Sequence, residues 1–118
     1  MIKSYKDFIV WQKSMLLVKM VYQTTANFPK NELFGIISQM RRSSISIPSN
    51  IAEGFGRKSH KDQDQFYYIA YGSSLELETQ LLLARDLRFI SDKEFELILS
   101  LLTEIIKMLH RMTHSKNH

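Results

Sequence analysis

The stretch "RRSSISIPSNIAEGFGRKS", residues Arg41 to Ser59, combines a run of small residues, a proline, a Gly-x-Gly and two pairs of basic residues. A phosphate-binding loop needs Gly-x-x-x-x-Gly-Lys-Ser/Thr after a strand, and a dinucleotide fingerprint needs Gly-x-Gly-x-x-Gly between a strand and a helix. The segment "GFGRKS" satisfies neither pattern, and no strand pattern precedes it. We therefore interpret the stretch as a helix lined with small residues, which ends at its glycines.

Small side chains on this helix allow a neighbouring helix to approach closely. Ser44 and Ala52 are small, and Ile45 fills the space between such positions. Pro48 lacks a backbone N–H, so a local kink is expected there. We expect Ser44, Ile45, Pro48 and Ala52 to lie where the helix contacts another helix or another subunit.

Composition places the chain among ordinary globular proteins. It has 118 residues, of which 44% are hydrophobic and 24% charged, so one domain spanning residues 1–118 is expected. Four glycines and two prolines leave little material for turns, which favours an all-α fold. With no cysteine, the chain cannot form disulfides or use thiolate chemistry, and it suits a reducing interior.

The N-terminal segment "MIKSYKDFIVWQKSM" interrupts its apolar residues with charged and amide side chains. It therefore resembles neither a signal peptide nor a transmembrane segment. We expect a cytoplasmic protein with no membrane partner.

Apolar residues recur at helical spacing in four segments, which predict an antiparallel up-down-up-down four-helix bundle. Ser59 with Asp62, and Ser91 with Glu94, have the spacing of helix N-terminal capping boxes. Asn31 is a further candidate cap, after Pro29. The predicted segments are Tyr5 to Asn27, Glu32 to Phe55, Ser59 to about Leu87, and Ser91 to about Leu109. The first predicted core stripe is Phe8, Trp11, Met15, Val18 and Tyr22, and the second is Leu33, Ile37, Met40, Ser44, Ile47 and Ile51.

These apolar stripes are wider than a single bundle needs. The segment "MLLVKMVY", Met15 to Tyr22, is apolar on every side except at Lys19, and Leu82 and Leu101 widen the stripes of the last two helices. A helix that is apolar nearly all round requires burial on more than one face. Either these residues contact a second copy of the chain, or they are partly exposed side chains of the kind that most proteins carry.

The net charge of +4 is unevenly distributed along the chain. Residues 1–61 carry ten Lys and Arg against three acids, whereas residues 62–118 carry six against nine. Such polarity is compatible with an anionic partner, RNA or DNA. The candidate phosphate-binding residues are Arg41, Arg42, Arg57, Lys58 and Lys61. The last three gather at the turn before the third helix, where free backbone amides also favour an anion, although a solvated turn has the same composition.

No pattern indicates an enzyme, a metal site or a cofactor. His110 and His114 are spaced four apart and His118 follows, but the Glu-x-x-His pair of di-metal bundles is absent from the sequence. Glu53 is placed to pair with Arg57 four residues later. We therefore predict no catalytic residue, metal or cofactor.

Three segments resemble one bacterial family in order and spacing. They are "VWQKS" from Val10, "YQTTANFPKNELFGIISQMRRSSISIPSNIAEGFGRKS" from Tyr22, and "YGSSLELETQLLLARDL" from Tyr71. They resemble the four-helix bundle proteins encoded within intervening sequences of bacterial 23S rRNA genes, and the match extends from Tyr5 to Leu109. The resemblance implies a ring-like homopentamer with no established enzyme activity, and a fold similar to the accessory proteins of diversity-generating retroelements, which act beside a reverse transcriptase and its RNA.

One residue departs from that family's pattern. Where relatives commonly read Ala-Arg-Gly-Ser, this chain reads "AYGS", with Tyr71 in the arginine's place. Arg41, Arg42 and Arg57 lie on family motif positions that have no settled role. The sequence thus predicts a non-enzymatic homo-oligomer that binds RNA or other nucleic acid. The alternative is a protein–protein scaffold or accessory subunit of a nucleic-acid enzyme, without nucleic-acid contact of its own.

Overall fold

Four α-helices account for most of residues 1–114, the part of the chain that the computed structural model describes. They pack as an all-α bundle of 45 × 22 × 21 Å, as the sequence predicts. Within residues 1–114, no helix has both the length and the apolar composition needed to cross a membrane. The helices are α1 (Ile9–Thr25), α2 (Ser38–Phe55), α3 (His60–Asp86) and α4 (Asp92–His114).

The starts of α3 and α4 follow their capping residues. The Ser59 hydroxyl accepts a hydrogen bond from the Asp62 amide at 3.1 Å, and the Ser91 hydroxyl accepts one from the Glu94 amide at 3.2 Å. Each bond satisfies one of the backbone donors that a helix N-terminus leaves free. Both predicted N-termini are therefore confirmed.

Contacts between helix ends show that consecutive helices run antiparallel. Phe8, which precedes α1, packs edge-to-face on Phe55 at the end of α2, with ring centroids 5.5 Å apart. The Tyr68 hydroxyl near the start of α3 donates to the carbonyl of Thr113 at the end of α4, at 2.8 Å. The start of α1, the α2–α3 turn and the end of α4 therefore lie at the same end of the bundle.

The contact between α2 and α3 is made by small and polar residues. The buried Ser43 hydroxyl donates to Gln80 Oε1 at 2.7 Å, and Ser73 donates to the Ser46 hydroxyl at 2.8 Å. Ser44 is fully buried and donates to the Arg41 carbonyl at 2.8 Å. The stretch that opens the sequence analysis thus forms a close contact between helices inside the protomer.

The core face of α1 differs from the predicted one. Met15 and Tyr22, both assigned to the core stripe, are 37% and 38% exposed, whereas Ser14 and Leu17 are fully buried. Because α1 is apolar on several sides, helical spacing alone fits more than one face. Ser14 is accommodated in the core because its hydroxyl donates to the Val10 carbonyl at 2.6 Å. The predicted stripe instead lies along the flank of α1.

The predicted start of the second helix at Glu32 was also wrong. A short turn at Lys30–Glu32 contains Asn31, which therefore does not cap a helix, and a wider turn covers Leu33–Ile37. Gly35 in that turn has φ −111° and ψ −117°, outside the helical region. As a result Leu33, assigned to the core, is 46% exposed, and α2 begins only at Ser38 before it continues through Pro48.

Candidate nucleic-acid interface

The α2–α3 turn presents three of the predicted phosphate-binding residues together. Arg57, Lys58 and Lys61 are all exposed around the N-terminus of α3. The Arg57 guanidinium is held in place: it lies 4.4 Å from the centre of the Phe66 ring and pairs with Glu53 Oε2 at 2.9 Å. The predicted Glu53–Arg57 pair is therefore present, and it leaves Lys58 and Lys61 as the cations of the turn with no carboxylate partner in the described residues.

The structure separates the two remaining arginines from that turn. Arg42 lies 15 residues before Arg57, which is about 22 Å along a helix. The Arg41 side chain contacts α1, where its Nε donates to the Thr25 hydroxyl at 2.9 Å and its guanidinium lies 4.5 Å from the centre of the Tyr22 ring. The five residues therefore do not form one surface, and Arg41 fastens α2 to the end of α1.

Arg42 points in another direction, into a polar groove between α2 and α3. The groove has a volume of about 340 Å³. Adjacent residues of a helix point about 100° apart, which explains why Arg41 and Arg42 serve different neighbours. The residues that line the groove with Arg42 are Gln39, Ser43, Ser46, Ser73 and Glu76.

Folding redistributes the charge along the bundle axis. We define the basic half as the end that contains the α2–α3 turn, comprising residues 1–17, 47–73 and 103–114. It carries eight Lys and Arg against five acids. The opposite half, residues 18–46 and 74–102, carries seven of each sign. The positive excess of the described chain therefore lies at one end of the bundle, together with His60, His110 and His114.

Four aromatic and imidazole side chains form a cluster at this end, between α3 and α4. We call Tyr68, Tyr71, His110 and His114 the Tyr–His cluster. The two imidazoles stack with centroids 4.1 Å apart and planes 7° apart. The Tyr71 ring lies 5.8 Å from His110 and 5.3 Å from His114, and Tyr68 lies 5.5 Å from His114. The sequence showed the histidine spacing but not the tyrosines beside it, because their contact depends on how α3 and α4 align.

The geometry of the two histidines does not suit a shared metal ion. Ring nitrogens bind metals in the plane of the imidazole, and two nearly parallel stacked rings direct their lone pairs side by side rather than toward one point. In residues 1–114, no group of three or more His, Cys, Asp or Glu side chains is placed to hold a metal. His118 lies outside the described residues.

An apolar groove runs between α1 and α2 on the outside of the bundle. We call it the α1–α2 groove; its volume is about 310 Å³. It contains most of the flank of α1 that sequence analysis assigned to the core, and three of the predicted contact residues of α2. Its lining residues are Tyr5, Trp11, Met15, Val18, Ile45, Pro48, Ser49 and Ala52.

The two predicted contact residues of the other helices differ in exposure. Leu82 on α3 is 37% exposed, whereas Leu101 on α4 is half-buried and packs against the core. Ile45, at 41% exposure, is the most exposed of the predicted contact residues on α2. No enzymatic site is evident in residues 1–114.

Comparison with known proteins identifies the family. The model of the 23S rRNA-intervening sequence protein family matches residues 6–111. The chain is similar to a crystal structure from *Bacteroides thetaiotaomicron*, described as a protein with unknown function from the S23 ribosomal protein family, with 28% sequence identity and a TM-score of 0.81. That match covers 90% of this chain and 99% of the other. Among proteins with curated descriptions, none matches. The chain therefore belongs to the 23S rRNA-intervening sequence protein family.

Proposed function

We propose that this protein is a non-enzymatic homo-oligomer that binds RNA, or another nucleic acid, through the basic half of its bundle. The observation that carries the proposal is the concentration of the positive excess, eight cations against five acids, at one end of the molecule. Phosphate contacts from Lys and Arg supply most of the affinity in binding that does not read sequence. The names of the family and of the similar structure, which refer to 23S rRNA and to a ribosomal protein family, make RNA the first ligand to test.

The phosphate-binding residues proposed here are narrower than the sequence prediction. Lys58 and Lys61 are exposed beside the α3 N-terminus, whose backbone dipole also favours an anion. Arg57 keeps its orientation through Phe66 and Glu53 and adds a partly neutralised charge. Arg41 is engaged with α1, and Arg42 is the cation of a separate groove, so neither belongs to this surface.

The oligomer part of the proposal is supported by the α1–α2 groove. Its walls include a tryptophan, a methionine and an isoleucine, and Met15 and Ile45 remain more than a third exposed. Apolar surface of this continuity is typical of contacts between subunits. A second copy of the chain is the proposed occupant, and the family resemblance suggests a pentamer.

Salt dependence tests the nucleic-acid proposal. Fluorescence anisotropy with a labelled RNA hairpin should give an affinity that falls steeply as salt rises, because bound phosphates release counterions. Replacing Lys58 and Lys61 by Ala should weaken binding and make the salt dependence shallower by up to about 0.9 per lost phosphate contact. The matched control replaces Lys19 and Lys30, exposed lysines of the opposite half, and should change little. Equal losses from both pairs would contradict the proposed location.

A second candidate function is an accessory subunit that binds a protein partner of a nucleic-acid enzyme. The apolar α1–α2 groove favours it, because such a groove can bind a partner helix as readily as a second copy. This alternative predicts no RNA binding at low salt and no effect of the Lys58 and Lys61 substitutions.

A further inference from the structure

The Tyr–His cluster lies in the basic half, and neither the core nor the proposed phosphate contacts account for it. His110 and His114 are exposed and Tyr68 is 47% exposed, so the rings stand at the surface. Exposed single aromatic residues are common, but four rings in mutual contact on two helices are an organised surface.

Hydrogen bonds fix the orientation of these rings. The Tyr68 hydroxyl donates to the Thr113 carbonyl at 2.8 Å, which holds that ring across α4. Nδ1 of His114 lies 2.7 Å from the Thr113 hydroxyl and 3.1 Å from the His110 carbonyl. Because the Thr113 hydroxyl proton is directed to the Leu109 carbonyl at 2.9 Å, the His114 nitrogen is the donor in its own contacts. The cluster is therefore ordered before any ligand arrives, which lowers the entropic cost of binding.

Cations surround the cluster more closely than acids do. Lys61 lies seven residues before Tyr68, which places both on one side of α3 about 10 Å apart along the axis. Lys107 and Arg111 lie within one turn of His110 on α4. The acids near this part of α3 are Asp62 and Asp64. Flat ring faces flanked by cations match the chemistry of a nucleotide strand, whose bases alternate with phosphates.

We infer that the Tyr–His cluster binds unpaired nucleobases, so that the protein prefers single-stranded segments to uninterrupted duplex. This inference rests on the proposed nucleic-acid function. Bases inside a duplex are already stacked on one another, whereas bases in loops and single strands are free to stack on aromatic side chains. Each base stacked on an aromatic ring contributes about 1–3 kcal/mol and does so with little regard to sequence.

The test compares two RNA probes of equal length and composition, a single strand and a hairpin duplex, by fluorescence anisotropy at fixed low salt. Tyr71→Leu keeps an apolar side chain but removes the ring, and it should weaken binding of the single strand about 5- to 100-fold, the fold-change that matches one base stacked on an aromatic ring, while duplex binding changes little. Tyr71→Phe keeps the ring and should bind both probes as the unaltered chain does. The matched control is Phe34→Leu, because Phe34 is a 93% exposed aromatic residue in the opposite half.

A second variant guards against a folding defect in the first. His110→Gln changes an exposed residue near the end of α4 and should also reduce the preference for the single strand. If Tyr71→Leu and His110→Gln both leave single-strand affinity unchanged, or lower the affinity for both probes equally, the inference is overturned while the proposed function stands. If the unaltered chain binds neither probe, the proposed function fails first. The Lys58 and Lys61 substitutions separate the cases further, because they should weaken both probes.

Discussion

Gly54 on α2 lies directly against the ring of Tyr67 on α3. A Cβ atom added to Gly54 would lie 2.6 Å from Cε1 and 2.9 Å from Cδ1 of that ring, and 3.1 Å from the backbone carbonyl oxygen of Gln63. Real Cβ contacts are not that short, so the two helices approach at a distance that only glycine allows here. This contact fixes the geometry of the α2–α3 turn that presents Arg57, Lys58 and Lys61.

Gly54→Ala should therefore destabilise the protein by about 1–3 kcal/mol, because the added methyl group overpacks the contact with a buried ring. Urea unfolding followed by circular dichroism measures the change. Gly72→Ala is the matched control on α3, since an added Cβ there meets nothing within 4 Å. That substitution should stabilise the helix by up to about 1 kcal/mol. A Gly54→Ala protein as stable as the unaltered one would show that the two helices can separate at little cost.

The buried hydrogen bond between Ser43 and Gln80 should matter more than an exposed one. Ser43→Ala leaves Gln80 Oε1 without its 2.7 Å donor and should cost about 1–3 kcal/mol of unfolding free energy. Ser100→Ala, at an exposed position of a helix, should change stability by less than about 0.5 kcal/mol. A double-mutant cycle with Gln80→Leu should recover part of the loss, and strict additivity would argue against the coupling.

Stability should fall at alkaline pH through Tyr67. Burial, and then the nearby Asp64 carboxylate, raise the pKa of Tyr67 above its ordinary value of 10.0. Because the folded state holds this proton more tightly than the unfolded state, the stabilisation is complete below pH 10 and is lost as the pH rises through the folded-state pKa. Tyr67→Phe removes this titration, so its unfolding free energy should fall less between pH 9 and about pH 11. Parallel curves for the two proteins would contradict the assignment.

Subunit association should depend on the α1–α2 groove. Ile45→Glu places a charge on its apolar surface and should release smaller species in size-exclusion chromatography with light scattering, because an unpaired carboxylate is costly to bury. Leu82→Glu and Leu101→Glu test the remaining predicted contacts in the same way. Phe34→Glu, at a 93% exposed site, is the control and should leave the mass unchanged. If Ile45→Glu also elutes at the unaltered mass, the groove is not the subunit contact.

How far the sequence could predict the fold depended on how many solutions each pattern allowed. The starts of α3 and α4 followed from Ser59 and Ser91, whose hydroxyls have few other uses at those positions. The core face of α1 did not follow, because apolar residues surround the helix and Ser14 occupies a position that hydropathy would leave outside. The start of α2 was missed because it depends on the backbone conformation of Gly35, which composition does not encode.

The candidate site was harder to predict than the fold for a geometric reason. Charge summed along the chain suggested that residues 1–61 carry the basic surface, but antiparallel helices place those residues beside residues 62–118. The structure therefore groups Arg57 with Lys61 and places Arg41 elsewhere. Tyr68 and His114 are distant in sequence, and only the alignment of α3 with α4 brings their rings together.

Light scattering coupled to size exclusion, with a structured RNA added at low and then moderate salt, tests the central claim most directly. The account predicts an oligomer whose mass increases with RNA at low salt and returns to that of the protein alone at moderate salt, because phosphate contacts to the basic half drive binding. The Lys58→Ala, Lys61→Ala double variant should form the same oligomer without the RNA shift. An oligomer, or a monomer, whose mass is indifferent to RNA at low salt would contradict the claim and leave a protein partner as the alternative.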